Sequence, residues 1–242
     1  MNYTDFAQLF CEFSKINAIQ PLDDAKTRQM YEFTIFLDEV NQITNLTAIR
    51  KIEDMIPKHL IDSLFAAEHI PVGARVLDIG CGPGFPSVPL AIARPDLSIT
   101  ALDSTAKKIA FVNEAAKKIG LTNLIGISGR AEDRSIASQI GAFDVVVSRA
   151  VAKLVVLCEL CMPYVSVGGK LVALKATKAD EEVEEAAGAI KILGGAPAVL
   201  HKTKLFVADS NPEPRCLIEI TKSKPTPSIY PRAYATILKK PL

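Results

Sequence analysis

Residues 75–86 read Arg75-Val76-Leu77-Asp78-Ile79-Gly80-Cys81-Gly82-Pro83-Gly84-Phe85-Pro86. The run up to Ile79 has the pattern of a buried strand, and it enters a turn with glycine at alternate positions, where backbone can approach a ligand with no Cβ in the way. Two ligand classes compete for such a loop. A dinucleotide fingerprint is Gly-x-Gly-x-x-Gly or Ala, opening directly into a helix whose N-terminus holds pyrophosphate. Here that third position is Phe85, and Pro83, Pro86 and Pro89 sit poorly with a pyrophosphate turn. The loop spells Gly-x-Gly-x-Gly instead.

Outward from this segment, short β-rich runs alternate with helical stretches: Ala74 to Ile79, Leu97 to Leu102, Leu124 to Ser128, Asp144 to Ser148 and Gly169 to Lys175. That rhythm predicts repeated βα units, hence an α/β fold with a mostly parallel sheet covered on both faces. Two later runs, Ala198 to Val207 and Arg215 to Lys222, follow a predicted helix over Lys178 to Leu193 and suit an antiparallel hairpin at the sheet edge. Upstream, Phe6, Leu9, Phe10, Phe13 and Ile16 repeat at helical spacing, as do Met30, Phe33, Phe36, Leu37 and Val40. A third segment, Ile56 to His69, carries His59, Asp62 and Ser63 among apolar positions, and Pro71-Val72-Gly73 closes it. The expected division is a helical extension over 1–70, the α/β domain over 71–221 and a C-terminal arm over 222–242.

Composition bounds what this chain can be. With 242 residues, 49% hydrophobic and 23% charged, it excludes disorder, collagen and coiled coil, and it can bury a substantial core. The most apolar stretch, Leu154 to Val167, is interrupted by Glu159 and Pro163, so no membrane span is expected. The first residues lack the features of a secretory signal, and the chain reads as cytoplasmic. Five cysteines, an odd number without framework spacing, agree with reduced thiols. Cys158-Glu159-Leu160-Cys161 has redox or zinc spacing but no second pair, and reads as core thiols; no metal is expected.

Charge is partitioned: the net is −5 over residues 1–70, +1 over 71–200 and +5 over 201–242. From Lys222 onward the chain holds Lys222, Lys224, Arg232, Lys239 and Lys240, no acid and four prolines. That density of proline suggests an extended, semi-rigid arm, either merely solvated or in contact with a polyanion.

The glycine spacing resembles the first motif of class I S-adenosylmethionine-dependent methyltransferases. The resemblance implies a strand-ending acid that bonds the cofactor ribose, and Asp103 lies nineteen residues after Gly84. After the third strand, Gly129-Arg130-Ala131-Glu132-Asp133 falls where such enzymes meet the adenine edge. The segment after strand four, Val147-Ser148-Arg149-Ala150, lacks the Pro-Pro-aromatic motif of exocyclic-amine methylation, and no Cys follows Pro as carbon-5 pyrimidine chemistry would need. An acceptor with its own lone pair, such as guanine N7, requires positioning and shielding but no general base. Arg149 suits positioning, through bonds to a base edge, a phosphate or the cofactor.

Taken together, Asn45-Leu46-Thr47-Ala48-Ile49, His59-Leu60-Ile61-Asp62-Ser63, the Gly80 to Pro86 loop, Leu102-Asp103-Ser104, Arg130-Ala131-Glu132, Ser148-Arg149-Ala150, Ala173-Leu174-Lys175 and Tyr230-Pro231-Arg232 resemble the small-subunit rRNA guanine-N7 methyltransferases, the glucose-inhibited division protein B family. The resemblance spans roughly Leu37 to Leu242. It implies a Rossmann-like class I fold with a seven-stranded, mostly parallel sheet and an N-terminal helical extension. It also implies methyl transfer from S-adenosyl-L-methionine to guanosine 527 in the 530 loop of 16S rRNA. Cofactor contacts would fall on Gly80, Gly82, Gly84, Phe85, Asp103, Ser104, Thr105, Ala131, Glu132 and Arg149, and acceptor-side roles on Arg149, Lys175 and Arg130. His59 and Asp62, three apart on one helix face, would shape the pocket or form a structural pair. The lack of any Trp, where many relatives carry one just before the segment matching Asn41 to Asn45, implies local repacking. The implied partner is 16S rRNA or the small ribosomal subunit, with neither DNA nor membrane, and a monomer is expected. Arg130, Lys153, Lys175 and the basic tail are the candidate RNA patch if they share a face. A methyltransferase of small molecules or proteins, a non-enzymatic cofactor-binding module and, more distantly, a nicotinamide-dependent oxidoreductase are the competing readings.

Overall fold

The computed structural model describes residues 1–149, 152–207 and 211–242. Strands β1 (Arg75–Ile79), β2 (Ser98–Asp103), β3 (Leu124–Ser128), β4 (Phe143–Arg149), β5 (Val165–Lys175), β6 (Val199–Leu205) and β7 (Glu213–Thr221) form one sheet in the order β3-β2-β1-β4-β5-β7-β6. β1 to β5 run parallel, and β7 is antiparallel to both β5 and β6. The chain goes one way from β1 to β2 and β3, then returns to place β4 on the other side of β1. That reversal leaves a crevice beyond the carboxyl ends of β1 and β4, the ligand position of open α/β sheets. The expected antiparallel pair is present, with β7 inside the sheet and β6 at its edge.

Val145, Val147, Val172 and Leu217 pack one face of the sheet, and Leu77, Val146, Leu171 and Ile218 the other. Strands buried on both faces explain why these runs read as continuous apolar stretches rather than alternating ones. Helix α1 (Tyr3–Ile16) starts where the Asn2 side chain accepts the Asp5 N–H, and α2 (Asp24–Thr44) where Asp23 accepts that of Lys26. Asn45 ends α2 in the left-handed region, at φ 51°. Phe6, Phe10 and Phe13 are buried with Met30, Phe33 and Leu37, while Ile16, at the end of the same periodic run, is 52% exposed. These helices share one core with Phe85, Val88, Ile92 and Ile109 of the α/β unit. Between them and β1, residues Ile52–Met55 are α-helical, Ile56–Ile61 form a π turn and Asp62–Leu64 resume the α form. Pro57 sits inside the π turn, where its missing N–H removes an i→i−4 bond.

The C-terminal arm departs from expectation. Residues 222–242 are docked onto the domain rather than extended, and Tyr234–Lys239 are helical despite the neighbouring prolines. Ile237 is fully buried, and Arg232 grips the carboxylate of buried Glu159 through its backbone N–H at 2.9 Å, Nε at 2.7 Å and Nη2 at 2.6 Å. Lys222 is buried and donates to the carbonyls of Met162 and Val165. An apolar anchor and a buried acid, both distant in sequence, outweigh proline's local preference for an extended chain. Cys81, Cys158, Cys161 and Cys216 are buried free thiols and Cys11 is exposed. Burial pushes the Cys158 thiol up to about 12, which makes it inert. No helix among the described residues is long and apolar enough to cross a membrane.

Candidate active site

The glycine loop adopts backbone that only glycine takes without strain, with φ of 75° at Gly80, 56° at Gly82 and 104° at Gly84. A Cβ on Gly82 would meet nothing within 4 Å and would project into open space, whereas one on Gly84 would lie 2.6 Å from Val88 Cγ2. Gly82 therefore clears room for a ligand, and Gly84 lets the loop close on the helix that follows. Asp103 holds the turn: Oδ2 accepts the Gly82 N–H at 3.0 Å and Oδ1 the Thr105 N–H at 2.8 Å. Beneath the loop, Asp78 is fully buried; Oδ2 accepts the Ser87 N–H at 3.1 Å and Oδ1 has no partner. Burial pushes its carboxyl up to about 7.

Two cavities flank this loop and share Gly80, Gly82 and Lys108. The first, about 350 Å³, runs along the ends of β2 and β3 past Asp103, Ser104, Thr105, Ala131 and Glu132. These are five of the expected cofactor contacts, reached together with Gly80 and Gly82. Arg130 also lines it, exposed and 3.5 Å from Glu132. The second, about 670 Å³, opens between the loop and the 46–62 segment and is lined by Thr47, His59, Asp62, Phe85, Arg149 and Lys175, among others. Gly84 reaches neither cavity.

The second cavity is organised around one carboxylate. Asp62 Oδ2 accepts from Arg149 Nη1 at 3.0 Å and Oδ1 from Arg215 Nε at 2.7 Å, which sets two guanidinium groups at one acid. Arg149 Nη1 also donates to the Lys58 carbonyl at 3.0 Å, and its Nη2 lies 3.3 Å from His59 Nδ1. His59 Nε2 is 2.8 Å from Thr47 Oγ1. A guanidinium has only donors, so Nδ1 accepts and Nε2 carries the proton toward Thr47; this tautomer is assigned from the bonding. Burial first, and Arg149 second, push His59 down to about 3, so its ring is neutral. That ring stacks on Phe85 with centroids 4.3 Å apart, and Arg149 lies 5.2 Å from the Phe85 centroid. Lys175 Nζ meets Glu182 Oε2 at 2.7 Å.

The three residues expected to act on the acceptor are thus divided. Arg149 and Lys175 share the second cavity, while Arg130 sits in the first. Phe85 and Arg149, expected at the cofactor, also belong to the second. The expected RNA patch is largely neutralised: Arg130 faces Glu132, Lys153 meets Glu185 at 3.2 Å, Lys175 meets Glu182, and Arg232 and Lys222 are held by the core. Ala150, quoted with the Ser148-Arg149 motif, lies outside the described residues. Sequence reasoning missed Arg215, Glu182 and Lys108. Arg215 is 153 residues from Asp62, and no local pattern announces their contact.

A donor with an adenosine and an amino-acid end fits these walls. Gly82 leaves the space that a Cβ would fill, Asp103 supplies carboxylate oxygens at the rim, and the backbone along the loop carries no side chain to block it. Two solved structures share the fold. The O-methyltransferase of Bacillus cereus, solved in complex with SAH, aligns with a TM-score of 0.56 at 13% identity over 91% of this chain and 100% of that one. The precorrin-6y C5,15-methyltransferase of Geobacter metallireducens aligns at 0.52 and 15% identity over 74% and 92%.

Sheet order, glycine loop and strand-ending acid define a class I S-adenosylmethionine-dependent methyltransferase of the Rossmann-like type. The family described as GidB, rRNA small subunit methyltransferase G, matches residues 26–206. Relatives named ribosomal RNA small subunit methyltransferase G include one from Desulforamulus reducens, 43% identical over 91% of this chain and 92% of its own length. Another, from Clostridium perfringens strain 13, is 36% identical over the full length of both. The chain belongs to this family.

Proposed function

We propose that the chain methylates N7 of a guanine in 16S rRNA, guanosine 527 of the 530 loop, with S-adenosyl-L-methionine as donor. The observation that supports this acceptor is the state of the titratable groups lining the second cavity. His59 is pushed down to about 3, Asp62 already serves two guanidinium groups, and Glu213 pairs with Arg215 at 2.8 Å. None is placed to take a proton. Guanine N7 offers a lone pair and has no proton to lose, so positioning suffices.

S-adenosyl-L-methionine, when bound, supplies a methyl group on a sulfonium sulfur. Gly80, Gly82, Asp103, Ser104, Thr105, Ala131 and Glu132 would hold it along the first cavity, with Asp103 accepting from ribose hydroxyls and Ala131 and Glu132 at the adenine. Arg149, anchored by Asp62 and the Lys58 carbonyl, would orient the acceptor base or its phosphate. Phe85, backed by His59, presents an apolar surface that keeps water from the transfer path. Lys175 and Arg215 line the same cavity with their charges already paired, to Glu182 and to Asp62 and Glu213, so they would shape the acceptor's wall and leave its phosphates to Arg149. Guanine's N7 edge is hidden in the deep major groove of A-form RNA, so the target must lie in a loop or be splayed out. In this reading residues 1–70 close the second cavity over the α/β domain. The chain acts as a monomer in the cytoplasm, on the small subunit or its rRNA, without DNA or membrane.

The test is transfer from tritiated S-adenosyl-L-methionine to small subunits, or to their rRNA, from a strain lacking the homologous enzyme, followed by digestion to nucleosides. Label in 7-methylguanosine that disappears when the 530-loop guanine is replaced is the expected result. Cofactor binding without label in RNA would overturn the acceptor and turn attention to small-molecule substrates.

A further inference from the structure

The chain has three histidines, and two of them meet away from both cavities. His69 ends the short turn Ala67–His69 before β1, and His201 lies on β6, yet their ring centroids are 4.4 Å apart. Both point at one acid on β7: His69 Nδ1 is 3.6 Å and His201 Nε2 is 3.9 Å from Glu219 Oε2. In the β6–β7 register His201 faces Leu217 and Val199 faces Glu219, so His201 and Glu219 are diagonal neighbours on one face of the sheet. His201 Nε2 is buried with no hydrogen-bond partner, an arrangement that is costly unless something else occupies the nitrogen. One ligand atom from each residue falls within 4.8 Å of the other two.

We propose that His69, His201 and Glu219 bind one divalent transition-metal ion of the zinc type. Tetrahedral zinc with bonds of about 2.0 Å sets its ligand atoms about 3.3 Å apart. The two His–Glu separations, 3.6 and 3.9 Å, exceed that by a few tenths of an ångström, and all three atoms lie within 4.8 Å of one another. Two imidazoles and a carboxylate select zinc, nickel, cobalt or copper over calcium and magnesium, which take all-oxygen sites. Neutral imidazole is the ligating form, so binding would release any proton that the two rings carry. Lys170 Nζ lies 3.0 Å from Glu219 Oε2 and competes for that oxygen. Glu219 and Lys170 also line a surface cleft. The three ligands come from the segment before β1 and from the two antiparallel strands, so the ion would staple the chain's first third to its last. Water is left to fill the fourth position.

The test uses the full-length chain without a histidine tag, stripped with chelator and titrated with zinc chloride by calorimetry. One site per chain is expected, and at a hundredfold excess over Kd the Tm should rise by about 5–10 °C. His201→Asn should weaken binding about 100-fold and remove the Tm rise. Lys170→Met should tighten it. Cobalt(II) should give the visible absorption of a four-coordinate site in the parent chain and not in His69→Asn. No saturable binding would overturn the proposal, as would unchanged affinity in both histidine variants, which would place the ion at Cys11 or His59.

Discussion

On one side of the glycine loop the wall is made of backbone and short side chains at the ends of consecutive strands, with Asp103 bonded to the Gly82 and Thr105 N–H groups. On the other side the wall is a set of long charged side chains from β4 and β7, joined through Asp62, which follows the π turn. The first wall is built from strand ends: each piece lies within four residues of the end of its strand, and Asp103 ties the loop after β1 to the turn after β2. The second depends on residues far apart in sequence whose charges hold one another in place. A wall of the first kind tolerates loss of one side chain as a local change in ligand contacts. A wall of the second kind transmits the loss, because removing one member strands the others.

The strongest test of that contrast is Asp62→Ala. It leaves Arg149 and Arg215, with side chains 13% and 16% exposed, without their shared acid. Breaking a nearly buried pair should cost about 3 kcal/mol and lower Tm by roughly 6–12 °C. A Tm within about 2 °C of the parent would mean that the two arginines need no shared anchor. Next, Arg149→Ala should reduce kcat/KM about 100-fold through lost positioning. Calorimetric affinity for S-adenosylhomocysteine should barely change; a parallel loss of that affinity would merge the two walls into one cofactor site. Asp103→Ala should act the other way, weakening cofactor Kd about 10- to 100-fold by removing charge-assisted bonds. Affinity for rRNA should persist.

His59 of the second wall and Asp78 beneath the loop should also respond oppositely to acid. His59 has a folded value of about 3 against an ordinary 6.5, so its contribution is present above pH 6.5 and is lost as pH falls toward 3. Asp78, at about 7 against 3.8, is protonated only in the folded chain between those values, so its contribution grows as pH falls from 7 toward 4. Each is worth about 2 kcal/mol between pH 7 and 5, and the two offset each other in the parent chain. Denaturant unfolding at pH 5 and 7 should therefore show Asp78→Asn losing stability on acidification and His59→Gln gaining it. Equal slopes in both variants would remove the contrast. The smallest effect is expected for Lys239→Glu with Lys240→Glu. These exposed side chains make no hydrogen bond or ion pair among the described residues. Reversing them should lower rRNA affinity only several-fold in low salt and flatten the salt dependence.

What was legible in the sequence follows the same division. The strand before Gly80, the alternate glycines and Asp103 are ordered along the chain, and a pattern read along the chain finds them. Arg149 and Lys175 were legible as strand-end residues, but their partners were not. Arg130 looked like their companion because it too follows a strand, yet the crossover from β3 to β4 sets it in the other cavity. The tail misled for a related reason: proline density is a local signal, and the burial of Ile237 and the Arg232–Glu159 pair are not.

By itself the sequence determined the α/β rhythm, the glycine loop and its acid, because each rests on residues near one another in the chain and on steric rules that hold for any fold. Only the tertiary structure decided which charges meet. Asp62 acquires two arginines, Lys175 is claimed by Glu182, and His69 and His201 converge on Glu219. Those pairings follow from strand order and burial, since a charge brought out of water must find a partner wherever the packed chain has placed one.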